Sequence, residues 1–375
     1  MTAPELVVNV RSLTGPHTGI EIYMEELLRA LAATGELGIT TLSWAPTGLD
    51  VPGIREVIPA SRPDFEAGSV RAVLWKLWFD HAGCLKGMPG GRPVLYHGMD
   101  GFLPFTLSRG VRSVLTVHDL GWQAHPELYA PRVRRMYSML VPWAIRRADR
   151  LIAVSRYTAD DLMRRAGVPA AKIDVVYHGL DPAFGPAEAE PPAAGAPSAD
   201  SPYFLAVGGV SPRKNTRRLI EAFLRWRGRG GRAAGYRLLI TGHSLDQDFA
   251  RDGSLPDGVR VLGYVDKTEL RRLYAGAAAF VYPGIYEGFG LPIVEAMACG
   301  TPVVTSSTGS APEIAGGAAV VVDPFDTASI ESGLERATLP QEAEQLRSLG
   351  YQRVRAFRWD VAAQSTLDAY RRAQI

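Results

Sequence analysis

The 375-residue sequence predicts an α/β protein of two domains, each a parallel sheet doubly wound by helices. Three observations carry this expectation. The chain is longer than one hydrophobic core usually supports. Short apolar runs bounded by polar residues or glycine alternate with helical periodicity from end to end. Between Gly185 and Pro202 the composition turns to Pro, Ala, Glu and Ser with almost no large apolar side chain, as in an interdomain linker. The expected division is a first domain over 1–184, a linker over 185–202, a second domain over 203–356 and a closing helix over 357–375.

The first domain opens with the strand Leu6-Val7-Val8-Asn9-Val10 and a loop holding Gly15, Pro16 and Gly19. A helix follows, its apolar positions Ile20, Tyr23, Met24, Leu27, Leu28 and Leu31 spaced i, i+3, i+4. Further strands are read at Pro93–Tyr96, Ser113–Val117 and Arg150–Val154. The second domain restarts the rhythm with strands at Tyr203–Val207, Tyr236–Ile240, Val259–Leu262, Ala279–Tyr282, Pro302–Thr305 and Ala319–Val322. Such sheets bind ligands outside the carboxyl ends of their strands, so a cleft between the two domains is the expected site.

Composition excludes several classes. Lys and Arg number 41 against 39 Asp and Glu, which gives no reason to expect a nucleic-acid partner. The two cysteines, Cys84 and Cys299, are far apart and outside any metal-ligand spacing, which points to a reducing compartment, most simply the cytoplasm. No apolar run approaches the roughly 18 residues of a membrane span, so the reading is a soluble or peripheral protein. Arg132, Arg134, Arg135, Arg146, Arg147 and Arg150 bracket an apolar segment with Met139 and Trp143, and Trp75, Leu77, Trp78 and Phe79 form a second aromatic stretch. Together they suggest contact with an anionic membrane, against the plainer reading of amphipathic helices with core-facing aromatics.

The richest stretch is Tyr286-Glu287-Gly288-Phe289-Gly290-Leu291-Pro292-Ile293-Val294-Glu295, two carboxylates eight positions apart across a glycine turn that enters a helix. Gly288 and Gly290 let the backbone approach a ligand, and Pro292 suits a first helical turn. The helix N-terminus offers N–H donors to a diphosphate, while Glu287 and Glu295 accept from sugar and ribose hydroxyls. Gly208-Gly209 follows a strand, and Arg213-Lys214 precede a helix beginning near Thr216. Cations are disfavoured at that end of a helix unless an anion is present, so a diphosphate is expected beside them. His118 ends a strand next to Asp119, and His97 ends another; each is either a packed core histidine or a substrate contact. Asp246-Gln247-Asp248 has the look of a metal-binding pair but lacks a third ligand, and is read as solvated turn chemistry. No Gly-x-Gly-x-x-Gly turn follows the first strand and no P-loop occurs, which sets aside a nicotinamide enzyme and a P-loop NTPase.

Taken in order, these motifs resemble the family 4 glycosyltransferases of the retaining type, which have the two-domain GT-B fold. The resemblance runs through Thr18-Gly19-Ile20-Glu21, Val117-His118-Asp119-Leu120, His178-Gly179-Leu180-Asp181, Val207–Asn215, Tyr286–Glu295 and Gly309–Glu313. It implies that the closing helix crosses back to the first domain. The implied reaction moves a hexose from a nucleoside diphosphate sugar to a saccharide or lipid-linked saccharide acceptor by front-face attack, with no metal or other cofactor. The implied catalytic groups are His118, Glu287, Arg213 and Lys214. Donor binding is implied for Gly19, Gly209, Tyr264, Val265, Gly288, Phe289, Gly290, Leu291 and Glu295. The family often carries arginine where this chain has Gly209, and Arg213 is the cation expected to replace it. Bacterial mannosyltransferases that use GDP-mannose are the most similar members; UDP-glucose, UDP-N-acetylglucosamine and dTDP-rhamnose stay open, as does a noncatalytic sugar-nucleotide-binding subunit.

Overall fold

A computed structural model describes residues 5–15, 19–64, 70–88, 94–108, 110–186, 202–242 and 255–373. Thr18, the Asp246-Gln247-Asp248 triplet and residues 187–201 of the expected linker lie outside the described residues. The chain divides into two compact units, Met1–Gly179 with Arg358–Ile375, and Leu180–Phe357. The first division thus falls a few residues before the expected one. Asp181 pairs with Lys267 at 2.7 Å and Phe184 packs edge-on against Tyr274, which holds this segment in the second unit.

In the first unit the strands are β1 (Glu5–Asn9), β2 (Gly38–Leu42), β3 (Ile54–Val57), β4 (Val94–Gly98), β5 (Arg112–Val117), β6 (Arg150–Ala153) and β7 (Ile173–Val175). Helices α1 (Gly19–Thr34), α2 (Val70–Trp78), α3 (Gly121–Ala124), α4 (Pro131–Arg147) and α5 (Arg156–Ala166) connect them. The sheet is parallel throughout, in the order β3-β2-β1-β4-β5-β6-β7, so the winding reverses between β1 and β4. Tyr23, Met24, Leu27, Leu28 and Leu31 of α1 are all buried, as the periodicity predicts, each worth roughly 1.5–3 kcal/mol of transfer free energy.

The second unit holds β8 (Tyr203–Val207), β9 (Arg237–Thr241), β10 (Val259–Gly263), β11 (Ala279–Tyr282), β12 (Val303–Ser306) and β13 (Val320–Val322). Its helices are α6 (Thr216–Arg227), α7 (Lys267–Gly276), α8 (Leu291–Ala298), α9 (Ala311–Ala315), α10 (Thr327–Ala337) and α11 (Pro340–Val354). The order β10-β9-β8-β11-β12-β13 places the reversal between β8 and β11. All five ladders are parallel.

The last helix, α12 (Trp359–Arg372), belongs to the first unit and packs on α1. Tyr370 on α12 sets its hydroxyl 2.7 Å from Nδ1 of His97. A Cβ on Gly179 would stand 2.4 Å from Trp359, so only glycine lets the chain pass there.

Candidate active site

The second unit gathers a charged cluster at the carboxyl ends of β8 and β11, the pair at which its winding reverses. Beyond Val207 the chain turns through Gly208 and Gly209, at φ of 105° and 71°, a conformation that L side chains rarely adopt. Both N–H groups donate to Thr241 O at the end of β9, at 3.0 and 2.8 Å. A Cβ on Gly208 would lie 2.9 Å from Cε of Lys214, so the glycine also makes room for that side chain. Asn215 caps α6 in the left-handed region and donates from Nδ2 to Pro283 O and Pro324 O, at 3.1 and 2.6 Å. The Thr216 hydroxyl donates to Gly209 O at 2.9 Å. The Arg213-Lys214 turn is therefore fastened both to the glycine turn and to the loop after β11.

Glu287 lies between those two cations. Arg213 Nη1 is 3.0 Å from Oε2 and Lys214 Nζ is 2.8 Å from Oε1. Lys214 also donates to the Tyr282 hydroxyl, which in turn hydrogen-bonds the Glu287 carboxylate. Burial pushes the Glu287 pKa up, but Lys214 and then Arg213 more than reverse this and hold it below the usual carboxylate range. The sequence argument required an anion beside Arg213 and Lys214; the structure supplies a resident one. The loop that carries Glu287 is held from behind: Ser310 donates to Glu287 O from its N–H and its hydroxyl, at 3.1 and 3.0 Å. Gly309 fits there because a Cβ would come within 2.9 Å of Glu287 N.

Gly288, Phe289, Gly290 and Leu291 are buried and lead into α8, with Gly290 at φ 95° as its N-cap and Pro292 in its first turn. Glu295, on the same helix, accepts from the Tyr274 hydroxyl at 3.1 Å. Burial raises its pKa to about 7, against the opposing pull of that hydrogen bond. The two glutamates therefore differ: Glu287 is firmly ionised, and Glu295 titrates near neutrality. Tyr264, 66% exposed, and half-buried Val265 follow β10.

In the first unit His118 follows β5, with Nε2 2.7 Å from Met99 O. That contact puts the ring proton on Nε2 and leaves Nδ1 as an acceptor. Burial, opposed by the Met99 carbonyl, keeps the ring neutral by lowering its pKa. Gly19 opens α1 and is exposed. His97 is fully buried, its Nδ1 on Tyr370 and its Nε2 2.8 Å from the Thr116 hydroxyl. Of the two readings left open for His97, the packed core histidine holds: both ring nitrogens are used inside the core, and burial lowers its pKa to about 3.

Sequence reasoning missed Tyr282 and Tyr274, which touch Glu287 and Glu295. The only signal was their position, Tyr282 closing a strand and Tyr274 spaced helically behind one.

Two parallel Rossmann-like sheets, with this glycine turn, cation pair and paired-glutamate segment, are the features on which the sequence resembles a glycosyltransferase, and comparison with known proteins shows that class. The model "Glycosyltransferase Family 4" matches residues 17–184, and "Glycosyl transferases group 1" matches 189–353. The O-antigen chain mannosyltransferase B of Escherichia coli is 32% identical over 294 residues, covering 75% of this chain and 74% of that protein. A glycogen synthase of Mycobacterium tuberculosis is 29% identical over 385 residues, covering 94% and 90%. Among solved structures, a sucrose-phosphate synthase from Thermosynechococcus elongatus aligns with a TM-score of 0.70 at 22% identity over 99% of this chain and 98% of that one, a likeness of fold. The chain belongs to the family 4 glycosyltransferases and has the GT-B fold.

Proposed function

We propose that this glycosyltransferase moves mannose from GDP-mannose to a hydroxyl of a glycan or lipid-linked saccharide in surface-polysaccharide assembly, with retention at the anomeric carbon and without a metal. The observation that supports the chemistry is the bracketing of Glu287 by Arg213 and Lys214 beside the N-terminus of α8. In this reading the two cations and the N–H groups of Gly288 to Leu291 take up the charge of the departing diphosphate, the role a metal plays elsewhere. The diphosphate helps deprotonate the acceptor. Gly209 lets the backbone approach the phosphates. Glu287 holds sugar hydroxyls and supports positive charge at the anomeric carbon. Glu295 receives ribose hydroxyls, and the backbone at Tyr264 and Val265 receives the base. Gly19 and the Nδ1 of His118 contribute to the donor sugar from the first unit. The protein works in the cytoplasm or at the inner face of a membrane.

The mannose assignment rests on the likeness to the E. coli mannosyltransferase. A glucose donor is the second reading, favoured by the longer match to the glycogen synthase. A thermal-shift panel with GDP, UDP, dTDP and ADP separates them, because a ligand of the folded state raises the melting temperature by mass action. Selective stabilisation by GDP is expected. Selective stabilisation by another nucleotide would replace the donor, and no response to any would remove the diphosphate site.

A further inference from the structure

Tyr282, the last residue of β11, carries a hydroxyl to which the proposed reaction gives no role. The side chain is 3% exposed. Its ring stacks on Phe280 with 5.5 Å between centroids, and its backbone carbonyl accepts from the Thr305 hydroxyl of β12 at 3.1 Å. A tyrosine has only two side-chain torsions, and this one is set in an inner strand of the second unit's sheet, so its hydroxyl is a fixed point.

That hydroxyl touches both Lys214 and Glu287, and a single arrangement of protons serves them. An ammonium has three donors and no acceptor, so Lys214 donates to the Tyr282 oxygen. The one proton of the hydroxyl then goes to the Glu287 carboxylate, which can only accept. Burial, and after it the charge of Glu287, raises the Tyr282 pKa well above its ordinary value and keeps that proton in place. Lys214 Nζ also lies 4.5 Å from the centroid of the ring, a cation–π contact that phenylalanine would preserve. Packing and attraction of the cation therefore need the ring alone. A hydroxyl on a buried ring is unfavourable unless bonded, and both of its partners here are charged groups of the candidate site.

We propose that Tyr282 is a positioning residue for glycosyl transfer, its hydroxyl holding Lys214 and Glu287 in register as acceptor to one and donor to the other. The inference rests on the proposed use of Lys214 for the diphosphate and Glu287 for the sugar. Lys214, on a flexible four-carbon stem, turns to an incoming phosphate; Tyr282 cannot follow it. The carboxylate thus keeps one hydrogen bond from the protein while it gives up its cation, and it meets the sugar ionised and oriented.

The test compares Tyr282→Phe with Tyr203→Phe, which removes a similarly buried hydroxyl bonded to a backbone carbonyl, Leu273 O, at 2.8 Å. Carbon-13 NMR of the glutamate carboxyls reads Glu287 directly, its signal assigned by its loss in Glu287→Gln. Tyr282→Phe should move the Glu287 titration up by about one pH unit, the scale of one hydrogen bond to a charged group. With GDP-mannose and UDP-glucose as probes, its release of nucleoside diphosphate should fall about tenfold in kcat, with KM held within about twofold. Tyr203→Phe should show neither change. An unmoved Glu287 titration, a wild-type kcat, the same changes in Tyr203→Phe, or an unfolded Tyr282→Phe would each overturn the role. Wild-type protein that turns over neither nucleotide sugar would instead sink the mannose and glucose readings, and the carboxyl titration would still decide whether Tyr282 holds Glu287.

Discussion

Lys214 Nζ stands 2.8 Å from Glu287 Oε1, so the carboxylate that sequence logic aims at a sugar is held by a cation that the same logic aims at a diphosphate. The two roles share one cluster. On the proposed reading an incoming diphosphate would meet cations already compensated by a resident anion, and the carboxylate would be freed toward the sugar as the phosphate takes its place.

This exchange predicts an asymmetry at Glu287. Glu287→Gln should lower kcat by roughly a hundredfold or more, the scale of losing one preorganised electrostatic group. Nucleoside diphosphate affinity should hold or improve, because Arg213 and Lys214 lose their competitor. Calorimetric titration beside steady-state kinetics checks this, and equal losses in both would end the argument.

Glu295 predicts a pH signature. Its folded pKa of about 7 lies above the unfolded carboxylate value, so the native state holds a proton that the unfolded chain has released. Its contribution therefore falls with rising pH, between about 4.5 and about 7, by about 1.4 kcal/mol per unit. Glu295→Gln, which cannot ionise, should gain stability relative to wild type across that window and hold the difference above it. Unfolding curves at stepped pH would read this directly, and a flat difference would refute it. If ribose is taken by the carboxylate, nucleotide affinity of the wild type should also climb as pH passes about 7.

Membrane contact is the third expectation, narrowed by the structure. Arg150 is tied to Asp174 at 2.6 Å, Arg147 donates to Ser108 O at 2.9 Å and Phe79 is fully buried, so these three leave the surface set. Arg132, Arg135, Arg146 and Met139 stay exposed on α4, which has no acidic residue, and Leu74, Trp78 and Phe105 are exposed in the same unit. Each surface cation is worth about 1 kcal/mol near an anionic membrane. Vesicles containing phosphatidylglycerol should sediment the protein where phosphatidylcholine alone does not, and an Arg132→Glu, Arg135→Glu double variant should stay in solution. Equal recovery with both vesicle types would count against the patch.

The strands easiest to read were those whose apolar runs are uninterrupted, such as Tyr203–Val207 and Ala279–Tyr282, which the structure reproduces residue for residue. Three strands escaped. In Gly38–Leu42 two fully buried threonines break the apolar run. Ile54–Val57 is an edge strand with Arg55 and Glu56 exposed, and Ile173–Val175 is three residues long. At the site, Arg213, Lys214 and Glu287 were each legible as chemistry, but not their mutual contact. That contact depends on β8 and β11 being neighbours although β9 and β10 intervene in sequence, and local pattern carries no trace of such pairing.

The membership of α12 has a consequence for how the chain is made. The first unit is assembled from two stretches of sequence with the whole second unit between them. On the ribosome the second unit emerges complete while the first still lacks the helix that covers Tyr23, Met24 and Leu27 and that bonds His97. Until α12 arrives, that apolar face is open to water and to other chains, so the first part to be synthesised is the last to be finished. Nascent chains stalled before Trp359 should thus be the species most in need of a chaperone.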